Sequence, residues 1–157
     1  PRPAPSTSPP IMDSSIFAEL RAGVATASAA ETQALAARLA AVLPPGSVLA
    51  LHGDLGAGKT TFVQGLARGL GIHESVTSPT FAILALHRGG GRTLAHVDAY
   101  RIDGARALED LMIDDFLVPP WWAAVEWPEN VADWLPADAL HIELRHAEDG
   151  RHALRLR

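Results

Sequence analysis

The sequence predicts an α/β fold, a central sheet flanked by helices, and three observations carry that prediction. Short apolar runs alternate with segments of helical periodicity along most of the chain. One apolar run, Ser47 to His52, leads directly into a glycine-rich loop and then an amphipathic helix. Two pairs of strand-like runs are joined by short turns, adding one hairpin after that helix and another at the C-terminal end.

Taken in order, Pro1 to Pro10 holds five prolines among Ser, Thr, Ala and Arg, and residues 1–12 are expected to form a disordered tail. Residues 13–157 are expected to form a single domain. Ser14 to Val24 reads as an extended segment. Ser28-Ala29-Ala30-Glu31 has capping-box spacing and opens a helix through about Val42, with Leu35 and Leu39 on one face. Pro44-Pro45-Gly46 stops that helix before the Ser47–His52 strand. After the loop, Phe62, Leu66 and Leu70 repeat at helical spacing, and Gly69 and Gly71 end the helix. Ala82 to Leu86 and Thr93 to Val97 are strand runs around a Gly89-Gly90-Gly91 turn. Ala107 to Phe116 is a short acidic helix or two, Ala123 to Val125 a brief strand. His141 to Leu144 and His152 to Leu156 alternate as a terminal hairpin turning near Glu148-Asp149-Gly150.

The loop carries the chemistry. Gly53-Asp54-Leu55-Gly56-Ala57-Gly58-Lys59-Thr60 is a complete phosphate-binding P-loop, so the sheet is expected to be P-loop NTPase-like. Its glycines free the backbone to turn successive N–H groups inward as an anion nest, and the following helix aims its positive end at the same point. Lys59 is the only lysine among thirteen basic residues. A composition that otherwise uses arginine keeps lysine where a compact ammonium on a flexible stem must reach between phosphates. Lys59 is expected on the β- and γ-phosphates, and the Thr60 hydroxyl on Mg²⁺.

Composition limits the alternatives. The net charge of −5 argues against autonomous nucleic-acid binding. Arg145, Arg151, Arg155 and Arg157 form a basic edge or a solvated strand. The absence of cysteine excludes disulfides and thiolate metal sites. No run approaches the length of a membrane span, no basic segment precedes an apolar run, and the cytoplasm is the expected compartment.

A P-loop enzyme also needs a carboxylate at a neighbouring strand end. Asp98 and Glu126 each follow an apolar run, and spacing alone does not divide metal binding from water positioning between them. Ser78-Pro79-Thr80 lies where a nucleotide switch loop commonly falls, or is a rigid turn. Tyr100-Arg101 offers a cation for developing phosphate charge or a surface salt bridge. His96 reads as a satisfied core histidine. Four tryptophans crowd into residues 121–134 as packing, with Trp127 placed to lie against a nucleotide.

The ordered motifs at Gly53–Phe62, Ser78–Phe81, His96–Arg101, Val125–Glu129 and Gly150-Arg151 resemble the TsaE family. Its members are bacterial P-loop ATPases of tRNA threonylcarbamoyladenosine (t⁶A) synthesis. The resemblance implies ATP and Mg²⁺ as ligands. Asp54, Leu55, Gly56, Ala57, Gly58, Lys59, Thr60 and Thr61 would hold the nucleotide, with Trp127 and Arg151 approaching it. Glu126 would join Thr60 at Mg²⁺, Asp98 would orient the hydrolytic water, and Ser78 and Thr80 would form switch I. It also implies docking on TsaD and TsaB proteins, with tRNA met only through that complex, and no membrane role. The alternatives are a P-loop small-molecule kinase, for which no arginine-rich lid is evident, and a module that only senses nucleotide. A GTPase would need a second lysine in its guanine reader, and none exists.

Overall fold

The computed structural model describes residues 13–77, Pro79 and residues 83–157. The expected tail, Ser78 and Thr80 lie outside the described residues. Elements follow in the order α1 (Asp13–Ala22), β1 (Val24–Thr26), α2 (Ala29–Val42), β2 (Val48–His52), α3 (Lys59–Gly69), β3 (Leu84–Gly89), β4 (Arg92–Asp98), α4 (Arg106–Asp110), β5 (Trp121–Glu126), β6 (Leu140–His146) and β7 (His152–Leu156). Two 3-10 segments, Ile113–Phe116 and Pro128–Trp134, flank β5. The strands form one sheet in the order β1-β7-β6-β2-β5-β4-β3. Its centre, β6-β2-β5-β4, is parallel. Antiparallel partners close both sides.

The central strands read as unbroken apolar runs because both faces of the sheet are covered. Leu49 and Leu51 of β2, Trp122 and Ala124 of β5, and Ile142 and Leu144 of β6 face the core built with α1, α2 and α3. Val48, Ala95, Val97, Ala123 and Val125 face the opposite core with Leu108 and Ile113. The period of two along each strand thus divides one apolar string between two layers.

One element departs from expectation. The segment read as extended from Ser14 to Val24 is helix α1, and the strand shrinks to three residues after Gly23. Ile16, Phe17 and Leu20 all pack on the same core, a grouping that a helix permits and a strand would split across two faces. The cap forms with its return bond shifted by one residue: the Glu31 amide donates to Ser28 Oγ at 3.1 Å, while its carboxylate accepts from the Ala27 amide, just before the N-cap, at 2.6 Å. The turn of the β3–β4 hairpin is Gly90-Gly91, with both residues at positive φ (58° and 76°), the backbone that a two-residue hairpin loop requires.

Helices α2 and α3 meet at glycine. Gly71, at φ +78°, turns the chain out of α3 as expected. Gly69 is instead the last helical residue and, with Gly65 one turn before it, lets the helices touch. A Cβ on Gly65 would collide with the Gln33 carbonyl, and one on Gly69 with the Ala37 carbonyl. Alanine would gain about 1 kcal/mol in helix propensity, but relief of the clash requires the helices to move apart. Gly65→Ala is therefore expected to destabilise the fold by about 1–3 kcal/mol, read as a lower urea midpoint; a higher midpoint would show that the helix contact is looser than this.

Candidate nucleotide-phosphate site

The loop between β2 and α3 is built by close approach. A Cβ at Gly53 would strike the Leu144 carbonyl of β6, so only glycine leaves β2 along this path. Gly58 caps α3 at φ +101°, a backbone closed to most side chains, and its carbonyl accepts from the Phe62 amide at 2.9 Å. The C-terminal hairpin supports the loop from outside: His152 Nδ1 lies 3.0 Å from the Ala57 carbonyl oxygen.

Lys59 opens α3 and is buried, its Nζ donating to the Gly53 carbonyl. The ammonium lies 3.7 Å from the centroid of the Trp127 ring, a cation–π contact. Burial lowers its pKa from the usual lysine value, against the opposing pull of Glu126, Asp98, Glu129 and Asp54. Trp127 holds a left-handed backbone (φ 56°, ψ 52°) ahead of Pro128, and Tyr100 packs on its ring at 4.9 Å.

The register of the parallel strands delivers the acids. Leu51 of β2 and Asp98 of β4 both pair with Glu126 of β5, so the two carboxylates stand side by side at the strand ends, where open α/β sheets bind their ligands. Glu126 is 3 % exposed, and its Oε1 accepts from Thr60 Oγ1 at 3.1 Å. Asp98 Oδ1 accepts from the Tyr100 amide at 3.0 Å. A cleft of about 650 Å³ opens over these groups, lined by Leu55, Gly56, Gly58, Lys59, Thr60 and Thr61 on one side and by Asp98, Tyr100, Arg101, Glu126 and Trp127 on the other. Hard oxygen donors from a hydroxyl and a carboxylate suit Mg²⁺. That ion characteristically takes one or two protein ligands and completes its shell with phosphate and water. Among the described residues no group of three or more His, Cys, Asp or Glu could hold a metal unaided.

The family description "Threonylcarbamoyl adenosine biosynthesis protein TsaE" matches residues 26–153. The chain belongs to the TsaE family. It is 43% identical to the tRNA threonylcarbamoyladenosine biosynthesis protein TsaE of Bacillus subtilis over 79% of this chain and 77% of that protein. It is 42% identical to the Treponema pallidum protein of the same name over 72% of this chain and 83% of the other. A crystal structure of Bacillus subtilis YdiB superposes with a TM-score of 0.71 at 35% identity, covering 85% of this chain and 82% of YdiB.

In this TsaE chain the cleft gathers most of the residues expected from sequence, but not all. Asp54 is exposed outside the lining, and Ala57 is buried beneath it. Arg151 is exposed, pairs with Asp149 at 2.6 Å and is not among the lining residues. Arg101 lines the cleft and forms no ion pair among the described residues.

Two histidine features were not legible as site features. His152 reads as one strand residue among several, and only the fold brings it to the loop. His96 is fully buried as expected, yet neither ring nitrogen makes a hydrogen bond among the described residues, which corrects the reading of it as satisfied. A buried polar group without a partner costs about 1–3 kcal/mol. Its Nε2 stands 3.5 Å from Glu126 Oε2. Around His96, the run Leu94 to Val97 signals only a buried strand.

Because the chain has one lysine and one tyrosine, its alkaline titration is simple. The Lys59 pKa is lower folded than unfolded, so the unfolded chain holds that proton more tightly and stability rises as pH climbs from the folded pKa towards the ordinary lysine value. Lys59→Met is expected to abolish Mg²⁺-nucleotide binding by calorimetry, leave the urea midpoint at neutral pH no lower, and flatten the alkaline rise. A large drop in neutral stability would assign Lys59 to the fold instead.

Proposed function

We propose that this chain is a Mg²⁺-dependent ATPase serving t⁶A formation at adenosine 37 of tRNA. The observation that carries the reading is the contact between Thr60 and Glu126 at the foot of the P-loop, with Asp98 beside them in register. The family membership and the names of the relatives support the pathway. The reading places the work in the cytoplasm; no helix among the described residues is long and apolar enough to cross a membrane.

In this reading the loop amides and the α3 N-terminus receive the phosphates of ATP, and Lys59 turns from the Gly53 carbonyl to the β- and γ-oxygens. Thr60 and Glu126 hold Mg²⁺, which supplies charge neutralisation at the phosphates when bound. Asp98 orients a water for in-line attack on the γ-phosphorus. The P–O bond to ADP breaks as the new one forms, and the water proton leaves towards Asp98 or bulk solvent. Lys59 and the amides stabilise the spreading charge. Trp127 packs against Lys59 and borders the nucleotide, while Ser78 and Thr80 act as switch I and Arg151 approaches from the last hairpin.

Turnover by the chain alone is slow in this scheme. Arg101 stands on the exposed rim of the cleft, and a well-placed arginine is worth about 10³–10⁵ in rate. The partner is the TsaD–TsaB complex, with tRNA met through it, and hydrolysis resets that complex between turnovers. The segment after Asp98 offers the docking face: Leu111, Met112, Phe116 and Val118 are 40–62 % exposed, among the exposed acids Glu109, Asp110, Asp114 and Asp115.

The primary test is ATP hydrolysis with and without TsaD–TsaB, with Lys59→Ala as the blank. Strong stimulation is expected, and equal rates would detach the site from this pathway. Asp98→Asn is expected to bind ATP normally and lose about 10²-fold or more in turnover; undiminished turnover would remove Asp98 from the chemistry. Met112→Asp with Phe116→Asp is expected to leave basal hydrolysis intact and abolish stimulation. Retained stimulation would move the docking face elsewhere.

A further inference from the structure

The buried imidazole of His96 has no part in the scheme above. It lies on the face of β4 that also carries Leu94 and Asp98, the face turned towards α3. It is fully buried, and neither nitrogen makes a hydrogen bond among the described residues. On one side His87 walls it in, with ring centroids 6.3 Å apart. On the other, its Nε2 faces Glu126 Oε2 at 3.5 Å, slightly long for a hydrogen bond. The two oxygens of Glu126 therefore look at different groups: Oε1 at Thr60 and Oε2 at His96.

We propose that His96 is the positioning residue of Glu126, its Nε2–H directed at Oε2 so that the carboxylate plane is fixed with Oε1 towards Thr60 and the metal. The inference rests on the Mg²⁺ reading of Thr60 and Glu126. It accounts for a polar ring in a place where leucine would fill the space without an unpaired nitrogen. Carboxylates that ligate metals are characteristically held by such outer partners, whose loss weakens metal binding by about 10–100-fold.

The test compares side chains that place a donor differently. Gln at position 96 sets its N–H₂ near the position of Nε2, Asn sets it near Nδ1, and Leu has none. Mg²⁺ is titrated into the ADP complex of each variant by calorimetry, and ADP affinity is measured separately in EDTA. His96→Gln is expected to keep Mg²⁺ affinity close to wild type, and His96→Asn and His96→Leu to lose about 10–100-fold, all three with unchanged ADP affinity in EDTA. Equal Mg²⁺ affinity in all three variants overturns the proposal, as does a parallel loss in all three that follows their melting temperatures. Wild-type ADP binding that is indifferent to Mg²⁺ overturns the metal reading itself, an outcome distinct from both. A measurement on the unaltered protein covers variants that do not fold: imidazole ¹⁵N spectra are expected to show Nε2 of His96 as the protonated nitrogen, and a proton on Nδ1 alone overturns the proposal.

Discussion

Strand β5 lies between β2 and β4, and its parallel register with both is the constraint on which the site depends. Leu51, Glu126 and Asp98 fall on one line across the sheet. Because β2 ends in the P-loop, that line sets the height of Thr60 and Lys59 relative to the two acids. A slip of one residue in β5 would turn Glu126 to the opposite face and hand its place to Trp127 or Val125. The register is protected by the two cores. Trp122 and Ala124 belong to one, Ala123 and Val125 to the other, and a slip would exchange every one of them.

The loop is constrained in turn by what surrounds it. Gly53 runs against the Leu144 backbone, and the Ala57 carbonyl meets His152, so β6 and β7 act as a wall behind a loop whose other side is open to the cleft. Lys59 is held by an internal carbonyl and an indole face. That environment disfavours its charge, and the nearby acids offset only part of the effect. An ammonium in that position gains most from a polyanion entering the cleft, which is the electrostatic basis for expecting phosphate there.

The parts legible in the sequence were those fixed by local chemistry. Ser28 and Glu31 announced α2, the glycines and Lys59 announced the loop, and Gly89-Gly90-Gly91 announced a hairpin. The acids at 98 and 126 were found because each closes an apolar run. What stayed hidden depends on pairing between distant segments. Helix α1 was mistaken for a strand because Ile16 and Leu20, four residues apart, satisfy both periods; Phe17 settles the matter only once the core exists. The contact of Gly65 and Gly69 with α2, the approach of His152 to Ala57 and the meeting of His96 with Glu126 each join residues that no local pattern connects. Asp54 and Arg151 are motif positions that stand exposed and outside the cleft lining in the described fold.

The placement of the exposed apolar segment also bears on how a nucleotide could be sensed elsewhere. The chain leaves Asp98 through Ala99 and Ile102, and both belong to the core that holds Leu108 and Ile113 beneath the exposed Leu111, Met112 and Phe116. Asn130, following Glu126 and Trp127, donates to the Ala99 carbonyl at 2.8 Å and accepts from the Gly104 amide at 3.0 Å. The loop after β4 is thus stitched to the loop after β5, and each loop begins directly after one of the two acids. A displacement of either carboxylate would be passed to a close-packed layer that cannot deform smoothly. The exposed residues on the far side of that layer would move with it, giving the occupancy of the cleft a physical route to the proposed docking face.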